Sequence, residues 1–371
     1  MKIVADDKIP FLRNVFEKCG IEVVYKKGAD IKRTDLLDAD GLIVRTRTVC
    51  NYELLHDTAV KVVCSATIGT DHVNIGELES LGIRFFSAPD CNAGSVEQYI
   101  VCALLHLAEK YGFELSGKTV GIIGAGHVGS RVLNSCRQMG MNVLVNDPPR
   151  AEREGNAAFT ELDDLLKNAD FVTLHVPLDE TTYHLADADF FAQMKDSAFF
   201  INSSRGSVCN NVVLKEVLRR KKIAGAILDV WENEPDIDTE LQSMLEAGTM
   251  HIAGYSADGK ANGTTQSVRN IAQVLNIQEL KNFEVAELPD GNAEALEIIA
   301  DTPQKTLTAA AKNAYSIIRD SNDLAAHPEN FEKLRGDYYC RREFMGWTVS
   351  AKNLDEKSVE LLKKMNFRIK E

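Results

Sequence analysis

The chain has 371 residues, of which 26% are charged and 44% hydrophobic, and its formal net charge is −13. This length suits two or three domains with cores of their own, and the composition excludes a fibrous or disordered chain. The negative net charge argues against a general nucleic-acid or anionic-membrane surface. An anionic small molecule would therefore need a local basic pocket.

The cysteines and the first residues bear on the compartment. Eight cysteines are scattered along the chain without a C-x-x-C pair or metal-ligand spacing, and we interpret them as reduced thiols. Residues 1–7 place two acids where a signal peptide has its apolar stretch, and no apolar run approaches the ~20 residues of a membrane helix. We expect a cytoplasmic protein without a metal site.

The first ninety residues alternate short apolar runs with segments that have apolar residues at helical spacing. Five of these runs are predicted to be buried strands: residues 2–5, 22–25, 41–44, 61–65 and 84–87. Strands that alternate with helices indicate βαβ units and hence a parallel sheet.

A second alternating series follows a helix that is predicted over residues 95–110. Its six predicted strands are residues 119–123, 142–146, 170–175, 198–202, 225–229 and 249–253. Six strands with helices between them predict a second doubly wound sheet.

The last third of the chain indicates how the domains divide. A helix predicted over residues 263–281 is long enough to return to the first sheet, and a turn cluster at 288–292 ends the pattern. The predicted fold class is α/β, with two doubly wound parallel-sheet domains and a small third domain. We expect a discontinuous flavodoxin-like domain (1–93 and 257–287), a Rossmann domain (94–256) and a C-terminal α+β domain (288–371).

A glycine-rich turn marks a candidate cofactor site in the second series. Residues 119–129 carry G-x-G-x-x-G directly after a strand and at the start of a helix, whose free N–H groups favour phosphates. In this context the first glycine allows a tight turn, the second lets the backbone approach a pyrophosphate, and the third permits close packing. The residues that we expect at the cofactor are Gly124, Gly126, His127, Val128 and Gly129.

Asp147 ends the next strand, 18 residues beyond Gly129. A carboxylate at this place accepts hydrogen bonds from the adenosine ribose and repels a 2′-phosphate, which selects NAD over NADP. The alternative is an ordinary turn followed by a surface acid.

Three successive strands of the second sheet run into polar residues at their carboxyl ends, where ligands of such sheets bind. The polar residues are Arg205, Glu234 and His251. An arginine can hold a carboxylate with its planar fork, a histidine can accept a hydroxyl proton, and a glutamate can orient that histidine. Together they suit hydride abstraction from a hydroxy acid. Taken singly, each could instead be a surface arginine, a solvated acid or a core histidine.

The motifs together resemble a known family. G-A-G-H-V-G at 124–129, S-R-G at 204–206, D-V-W-E-N-E-P at 229–235 and a late histidine are similar to the D-isomer-specific 2-hydroxyacid dehydrogenases. Four further stretches resemble those members that oxidise 4-phospho-D-erythronate to 2-oxo-3-hydroxy-4-phosphobutanoate in vitamin B6 biosynthesis. These stretches are residues 66–72, 147–151, 251–266, and 333–335 together with 341–343.

The resemblance implies further site residues and a partner. It implies that Thr46, Thr67 and Tyr255 contact substrate, and that the C-terminal domain mediates homodimerisation. It also implies NAD contacts at Asp147, Val176, Ser204, Asp229 and Gly254. Two positions depart from the family, which more often has serine at Thr46 and threonine at Val176, so any contact of Val176 must use its backbone.

A substrate with both a carboxylate and a phosphate needs more positive charge than Arg205 supplies. Arg45 and Arg47 flank Thr46, and they share a face opposite it if the strand continues to Thr48, whereas a loop leaves all three free to converge. A second subunit could also bring Arg341 or Arg342, although a solvated pair is equally expected.

The sequence leaves two other functions open. One is a different D-2-hydroxyacid dehydrogenase, for example of the phosphoglycerate type. The other is a binding protein that senses NAD without turnover. The intact set of arginine, glutamate and histidine argues only moderately against the second, because a sensing protein can retain it.

Overall fold

The computed structural model describes all 371 residues, and the chain divides into two compact units. Unit 1 consists of Met1–Asn92 and Ser256–Pro289. Unit 2 consists of Ala93–Tyr255 and Asp290–Glu371.

Unit 1 is built on a five-stranded sheet. Its strands are β1 (Lys2–Asp6), β2 (Glu22–Lys26), β3 (Gly41–Val44), β4 (Val62–Ser65) and β5 (Arg84–Phe86). They run parallel in the order β2-β1-β3-β4-β5, which is the flavodoxin-like order. The helices before β5 are short: α1 (Arg33–Leu36), α2 (Tyr52–Leu55) and α3 (Ile75–Ser80). Both faces of β1, β3 and β4 are buried, which explains why these strands appear in the sequence as continuous apolar runs.

The long helices of the two units are α4 (Ala93–Tyr111) in unit 2 and α11 (Ala257–Leu275) in unit 1. The N-cap of α11 is Ser256, whose side chain accepts the Gly259 N–H, so this helix begins six residues earlier than the sequence predicts. It packs on β4, as expected for a helix that returns to the first sheet. None of the helices, these two included, has the length and apolar character needed to cross a membrane.

Unit 2 contains a six-stranded sheet. Its strands are β6 (Thr119–Ile123), β7 (Asn142–Asn146), β8 (Phe171–Leu174), β9 (Phe199–Asn202), β10 (Gly225–Leu228) and β11 (Ala247–Gly248). All pairs are parallel, and the order is β7-β6-β8-β9-β10-β11. The remaining helices of this sheet are α5 (His127–Gln138), α6 (Pro148–Glu154), α7 (Leu162–Asn168), α8 (Ala188–Gln193), α9 (Asn211–Arg219) and α10 (Thr239–Met244). Because the direction of winding reverses between β6 and β8, their carboxyl ends form the expected place for a ligand.

The last predicted strand of this sheet is wrong. The sequence predicts a strand over residues 249–253, whereas β11 ends at Gly248 and the following residues form bends and turns. The apolar side chains of Ile252 and Ala253 are buried, which explains the prediction. Their N–H groups, however, donate to the Asp229 carboxylate at 2.8 Å and not to a neighbouring strand.

The C-terminal segment adds helices α12 (Pro303–Ala314), α13 (Ile317–Ala326), α14 (Phe331–Gly336) and α15 (Glu356–Lys364) and the parallel pair β12 (Thr348–Ser350) and β13 (Arg368–Lys370). The sequence predicts a small domain here. In the structure this segment shares the compact unit of the second sheet, because α12 packs on α4 and one apolar cluster runs through both. The predicted fold class, two parallel α/β sheets and a small C-terminal sheet, is confirmed.

Candidate active site

The glycine turn between β6 and α5 uses each glycine for a different reason. Gly124 has φ 87°, and a Cβ there would lie 2.6 Å from the His175 carbonyl oxygen after β8. A Cβ on Gly129 would lie 1.9 Å from the Gly124 carbonyl oxygen, so the helix packs directly on the turn. A Cβ on Gly126 would meet nothing within 4 Å, which leaves the backbone open to a ligand. The tight turn at Gly124 and the close packing at Gly129 are as predicted, and the approach of a pyrophosphate to Gly126 stays a prediction.

A pair of alanine substitutions separates packing from ligand binding in this turn. We expect Gly129→Ala to lower the free energy of unfolding by about 2 kcal/mol, since its methyl group collides with backbone. Gly126→Ala should cost less than about 1 kcal/mol of stability. It should nevertheless weaken NAD roughly tenfold or more, because its methyl occupies the open space. Urea unfolding and NAD titration of both variants measure this, and equal effects on stability would contradict it.

The start of α5 fits a pyrophosphate. Its N-cap is Gly126, and no side chain of that residue caps the helix, so the first turn presents backbone N–H groups and a partial positive charge towards an anion. Together with the open space above Gly126, this arrangement fits NAD.

Asp147, which is predicted to bind the adenosine ribose, organises the turn in the structure. One carboxylate oxygen accepts the Ala125 N–H at 2.8 Å, and the other caps α6 by accepting the Arg150 N–H at 3.0 Å. The Arg150 side chain, which the sequence analysis missed, donates to the Ala125 carbonyl and forms a bidentate pair with Glu154 at 2.8 Å. Its i,i+4 spacing from Glu154 was the available signal.

The other NAD candidates lie near the ends of neighbouring strands. Val176 follows β8, and its side chain is close to Gly124. Ser204 follows β9 and is buried, with its N–H and hydroxyl both donating to the Asn202 side chain at 3.0 and 2.7 Å. Gly254 lies in the turn after β11. Their contacts with NAD stay predictions.

Glu234 and His251 form a direct hydrogen bond. His251 Nδ1 lies 2.7 Å from one Glu234 oxygen, and the other Glu234 oxygen accepts the Trp231 N–H at 2.9 Å. Burial opposes ionisation of Glu234, yet the hydrogen bond and charge of His251 and the Trp231 N–H hold its pKa below the usual value. An ionised carboxylate can only accept, so Nδ1 carries a proton, and in the neutral ring Nε2 presents a lone pair.

The backbone places His251 in an unusual conformation. It has φ 57°, in the left-handed region that non-glycine residues rarely adopt, and its N–H donates to the Asp229 carbonyl at 2.8 Å. The Asp229 side chain is 1% exposed and also accepts the Thr249 hydroxyl at 2.6 Å. Asp229, predicted to contact NAD, thus holds the segment that carries His251.

Arg205 lies on the loop that contacts the Glu234 loop. A Cβ on Gly206 would lie 1.9 Å from the Trp231 carbonyl oxygen, so only glycine allows the two backbones to approach. The Arg205 carbonyl accepts from the Asn202 side chain at 3.0 Å. The Arg205 guanidinium donates to the Ser204 carbonyl at 2.8 Å. The loops after β9 and β10 are therefore in direct contact.

A second histidine and glutamate pair lies nearby. Glu232 accepts from His184 Nε2 at 2.7 Å and from the Asn211 N–H at 2.7 Å. His184 Nδ1 lies 3.3 Å from the Asn210 side-chain amide. Both ring nitrogens of His184 are thus occupied, whereas in His251 only Nδ1 has a hydrogen-bond partner. Only His251 has a nitrogen available to accept a proton.

In unit 1, the residues after β3 form a turn, so the strand does not continue to Thr48. The Arg45 guanidinium pairs with the buried Asp6 carboxylate at 3.3 Å, while Thr46 and Arg47 are exposed. These three residues are therefore not fixed on alternate faces of a strand.

Thr67 belongs to a small polar cluster after β4. Its hydroxyl is 2.8 Å from that of Ser65, which in turn lies 3.3 Å from His72 Nε2. Burial lowers the pKa of His72, with an opposing effect from the Asp71 charge.

Residues of the C-terminal segment surround Tyr255 in unit 2. The Tyr338 ring lies 6.2 Å from the Tyr255 ring, and the Arg335 guanidinium carbon lies 5.7 Å from its centroid. Arg341 is 2% exposed and donates to backbone of its own chain, so the suggestion that it reaches the site of a second subunit is wrong.

Comparison with known proteins agrees with these features. Residues 103–253 match the NAD-binding domain of the D-isomer-specific 2-hydroxyacid dehydrogenases. Erythronate-4-phosphate dehydrogenase of Bacteroides thetaiotaomicron is 43% identical over 94% of this chain and 99% of its own length. That of Yersinia pestis is 39% identical over 99% of both chains. The chain belongs to the erythronate-4-phosphate dehydrogenase family.

Solved structures of D-2-hydroxyacid dehydrogenases share the fold. D-lactate dehydrogenase of Aquifex aeolicus, with NAD and lactic acid, has a TM-score of 0.62 at 24% identity and covers 78% of this chain and 100% of its own. As a member of the erythronate-4-phosphate dehydrogenase family, the chain is an NAD-dependent dehydrogenase.

Beyond Arg150, the sequence analysis missed Asn202 and Arg335 because their roles depend on contacts and not on a motif.

Proposed function

We propose that this dehydrogenase oxidises 4-phospho-D-erythronate to 2-oxo-3-hydroxy-4-phosphobutanoate in the biosynthesis of pyridoxal 5′-phosphate. The full-length similarity to enzymes named for that substrate supports the proposal. The observation that carries the chemistry is the 2.7 Å hydrogen bond between His251 and Glu234, which leaves the outer ring nitrogen free as a base.

The reaction breaks the O–H bond of the C2 hydroxyl and the C2–H bond of the substrate. The hydroxyl proton moves to His251 Nε2 and the C2 hydrogen leaves as hydride, so that a C=O bond forms. NAD, when bound by the glycine turn and Asp147, supplies the hydride acceptor. Glu234 orients the imidazole and stabilises its protonated form.

Arg205 is proposed to bind the substrate carboxylate. Its planar guanidinium offers paired donors that match a carboxylate and also stabilise negative charge near the reacting oxygen. Thr46, Thr67 and Tyr255 are proposed to contact the remaining polar groups of the substrate through their hydroxyls. The outer nitrogen of His251 and the fork of Arg205 together favour a 2-hydroxy acid over a simple alcohol.

The deciding experiment is a turnover assay with the purified full chain. We expect NAD-dependent formation of the 2-oxo acid from 4-phospho-D-erythronate, with a second 2-oxo acid present to regenerate NAD. Efficient use of D-3-phosphoglycerate alone would indicate a dehydrogenase of the phosphoglycerate type. Binding of NAD without turnover of any hydroxy acid would indicate a sensing protein.

Cofactor choice gives a test of Asp147. Asp147→Ala should narrow the preference for NAD over NADP chiefly by weakening NAD, since the carboxylate no longer binds the ribose or repels a 2′-phosphate. The substitution also removes the α6 cap, at about 1 kcal/mol of stability. Values of kcat/KM with both cofactors measure the effect, and Asp163→Ala, at an exposed acid of α7, is the control. Equal use of NADP by the unmodified enzyme would contradict the assignment.

The phosphate of the substrate is proposed to bind arginines, because a chain with a net charge of −13 needs a local positive site to hold an anion. Arg45 and Arg47 are the candidates from the sequence. The structure adds Arg335, which is half-buried beside Tyr255 with no carboxylate at salt-bridge distance. Burial raises the pKa of Glu234, and the His251 hydrogen bond lowers it most strongly. The charge of Arg335 also helps to lower it.

Single substitutions of these arginines should distinguish binding of the substrate phosphate from binding of the substrate carboxylate. Arg47→Ala, Arg335→Met or Arg45→Lys should weaken phosphoerythronate by about 2 kcal/mol where the arginine binds phosphate, and leave unphosphorylated erythronate nearly unchanged. Lysine is used at position 45 because alanine would leave the buried Asp6 carboxylate without its partner. Steady-state kinetics with both substrates measure the effect. Equal losses for both compounds in every variant would place the phosphate elsewhere.

The C-terminal segment is proposed to mediate a homodimer. It exposes large apolar side chains, among them Ile299 at 89% and Met345 at 55%. Sedimentation of the full chain should show a dimer, and a monomer at micromolar concentration would refute the proposed homodimer.

We also propose that the enzyme works in the cytoplasm, which is supported by eight free thiols, six of them packed inside the protein.

A further inference from the structure

The segment 251–255 has no regular secondary structure, so its peptide groups need partners elsewhere. On one side, the Asp229 carboxylate accepts the N–H groups of Ile252 and Ala253. On the other side, the carbonyl oxygens of Ile252, Ala253 and Tyr255 accept from one side chain, Arg341, at 3.1, 2.7 and 3.0 Å. A buried carboxylate and a buried guanidinium therefore hold the residues that follow His251.

Arg341 is saturated with acceptors. Its side chain also donates to the Ser95 carbonyl at 3.1 Å and the Gln98 side chain at 2.8 Å, both on α4. The phenol of Tyr338 lies 3.3 Å away and donates onward to the buried Asp320 at 2.8 Å. All five N–H groups thus have partners, which is what a charge that is 2% exposed requires.

The arrangement depends on the shape of the guanidinium. Three carbonyl oxygens of one turn and two acceptors on α4 surround a planar fork, whose carbon lies 4.1 Å from the centre of the Tyr315 ring. A lysine ammonium offers three donors on one atom and cannot span this set. The contacts join α4 and the C-terminal segment to the turn after β11.

The turn itself needs such support. His251 has a positive φ, and a residue in that region persists only where its surroundings determine it. The Nδ1 bond to Glu234 sets the rotation of the imidazole, but the position of the ring also depends on the backbone that Asp229 and Arg341 hold.

We propose that Arg341 is a positioning residue for His251, acting through the main chain of residues 252–255 from the C-terminal segment. This inference rests on the proposed function, in which His251 is the base. A displacement of the base by a fraction of an ångström lowers turnover of the bound substrate, whereas the glycine turn that binds NAD has no contact with Arg341.

The test compares Arg341→Lys with Arg368→Lys, an exposed arginine of the same segment that pairs with Asp290. We expect Arg341→Lys to lower kcat for phosphoerythronate roughly 10- to 100-fold with the Kd of NAD nearly unchanged. Amide hydrogen exchange in a peptide covering residues 250–256 should become faster. Arg368→Lys should change neither quantity.

A second variant guards against a simple loss of folding. Arg341→Ala leaves a cavity shaped for guanidinium, so millimolar guanidinium chloride should restore part of kcat while an equal concentration of potassium chloride should not. A variant with normal kcat per folded molecule and normal exchange in residues 250–256 would overturn the inference. Failure of the unmodified enzyme to oxidise phosphoerythronate would instead refute the proposed function, and the exchange measurement would still decide on Arg341.

Discussion

Replacing His251 with asparagine is expected to lower kcat by roughly 10² to 10⁴ and to leave NAD affinity little changed. Asparagine can still hydrogen bond to Glu234, but it offers no nitrogen with a lone pair to accept the hydroxyl proton. The backbone cost of the change is small because asparagine tolerates the left-handed conformation that His251 adopts. Single-turnover measurement of hydride transfer, with NAD titration alongside, provides the check.

His184→Asn is the matched control for this prediction. His184 also pairs with a glutamate, Glu232, but both of its ring nitrogens are occupied and it cannot act as a base without breaking a bond. Its replacement should leave kcat within a few-fold of the unmodified enzyme. Near-normal turnover of the His251 variant, or equal losses in both, would remove His251 from the mechanism.

Much of the fold can be predicted from the sequence because parallel strands are buried on both faces. Such strands appear as continuous apolar runs, and ten of the eleven predicted strands agree with the structure to within two residues at each end. The glycine turn was equally predictable, since Gly124 and Gly129 meet local steric needs and Gly126 leaves the backbone open. Local patterns sufficed for both.

The turn after β11 could not be predicted in this way. Its apolar residues resemble a strand, but their polar backbone groups are satisfied by side chains distant in sequence, at separations of 23 residues for Asp229 and 88 for Arg341. No local pattern reports such partners. For the same reason the sequence made Arg341 a candidate for the phosphate, whereas the structure uses all of its donors inside the protein.

The choice between the two glutamates of D-V-W-E-N-E-P also depends on the structure. They are two residues apart, and each forms a 2.7 Å hydrogen bond with a histidine. Sequence analysis chose Glu234 from its place after the carboxyl end of a strand, and Glu232 lies at nearly the same place. The geometry separates them physically, because only the partner of Glu234 has an unoccupied ring nitrogen.

Glu234→Gln is expected to lower kcat roughly 10²- to 10⁴-fold, as much as loss of the base itself. The reason is the second hydrogen bond of this carboxylate. The Trp231 N–H donates to one oxygen, so a glutamine must turn its carbonyl oxygen towards Trp231 and its NH₂ group towards His251 Nδ1. Facing a donor, Nδ1 becomes the acceptor, and the proton of the neutral ring moves to Nε2, which then cannot accept one from substrate.

Glu232→Gln provides the matched control, with the same change of charge two residues away. Glu232 also accepts a backbone N–H, from Asn211, so the amide should turn in the same sense and shift the His184 tautomer instead. Because His184 is not the base, kcat should stay within a few-fold of normal. Kinetics of the two variants under identical conditions measure the contrast. Equal losses would show that charge near the loop matters more than the tautomer, and an active Glu234→Gln enzyme would mean that His251 does not depend on this carboxylate.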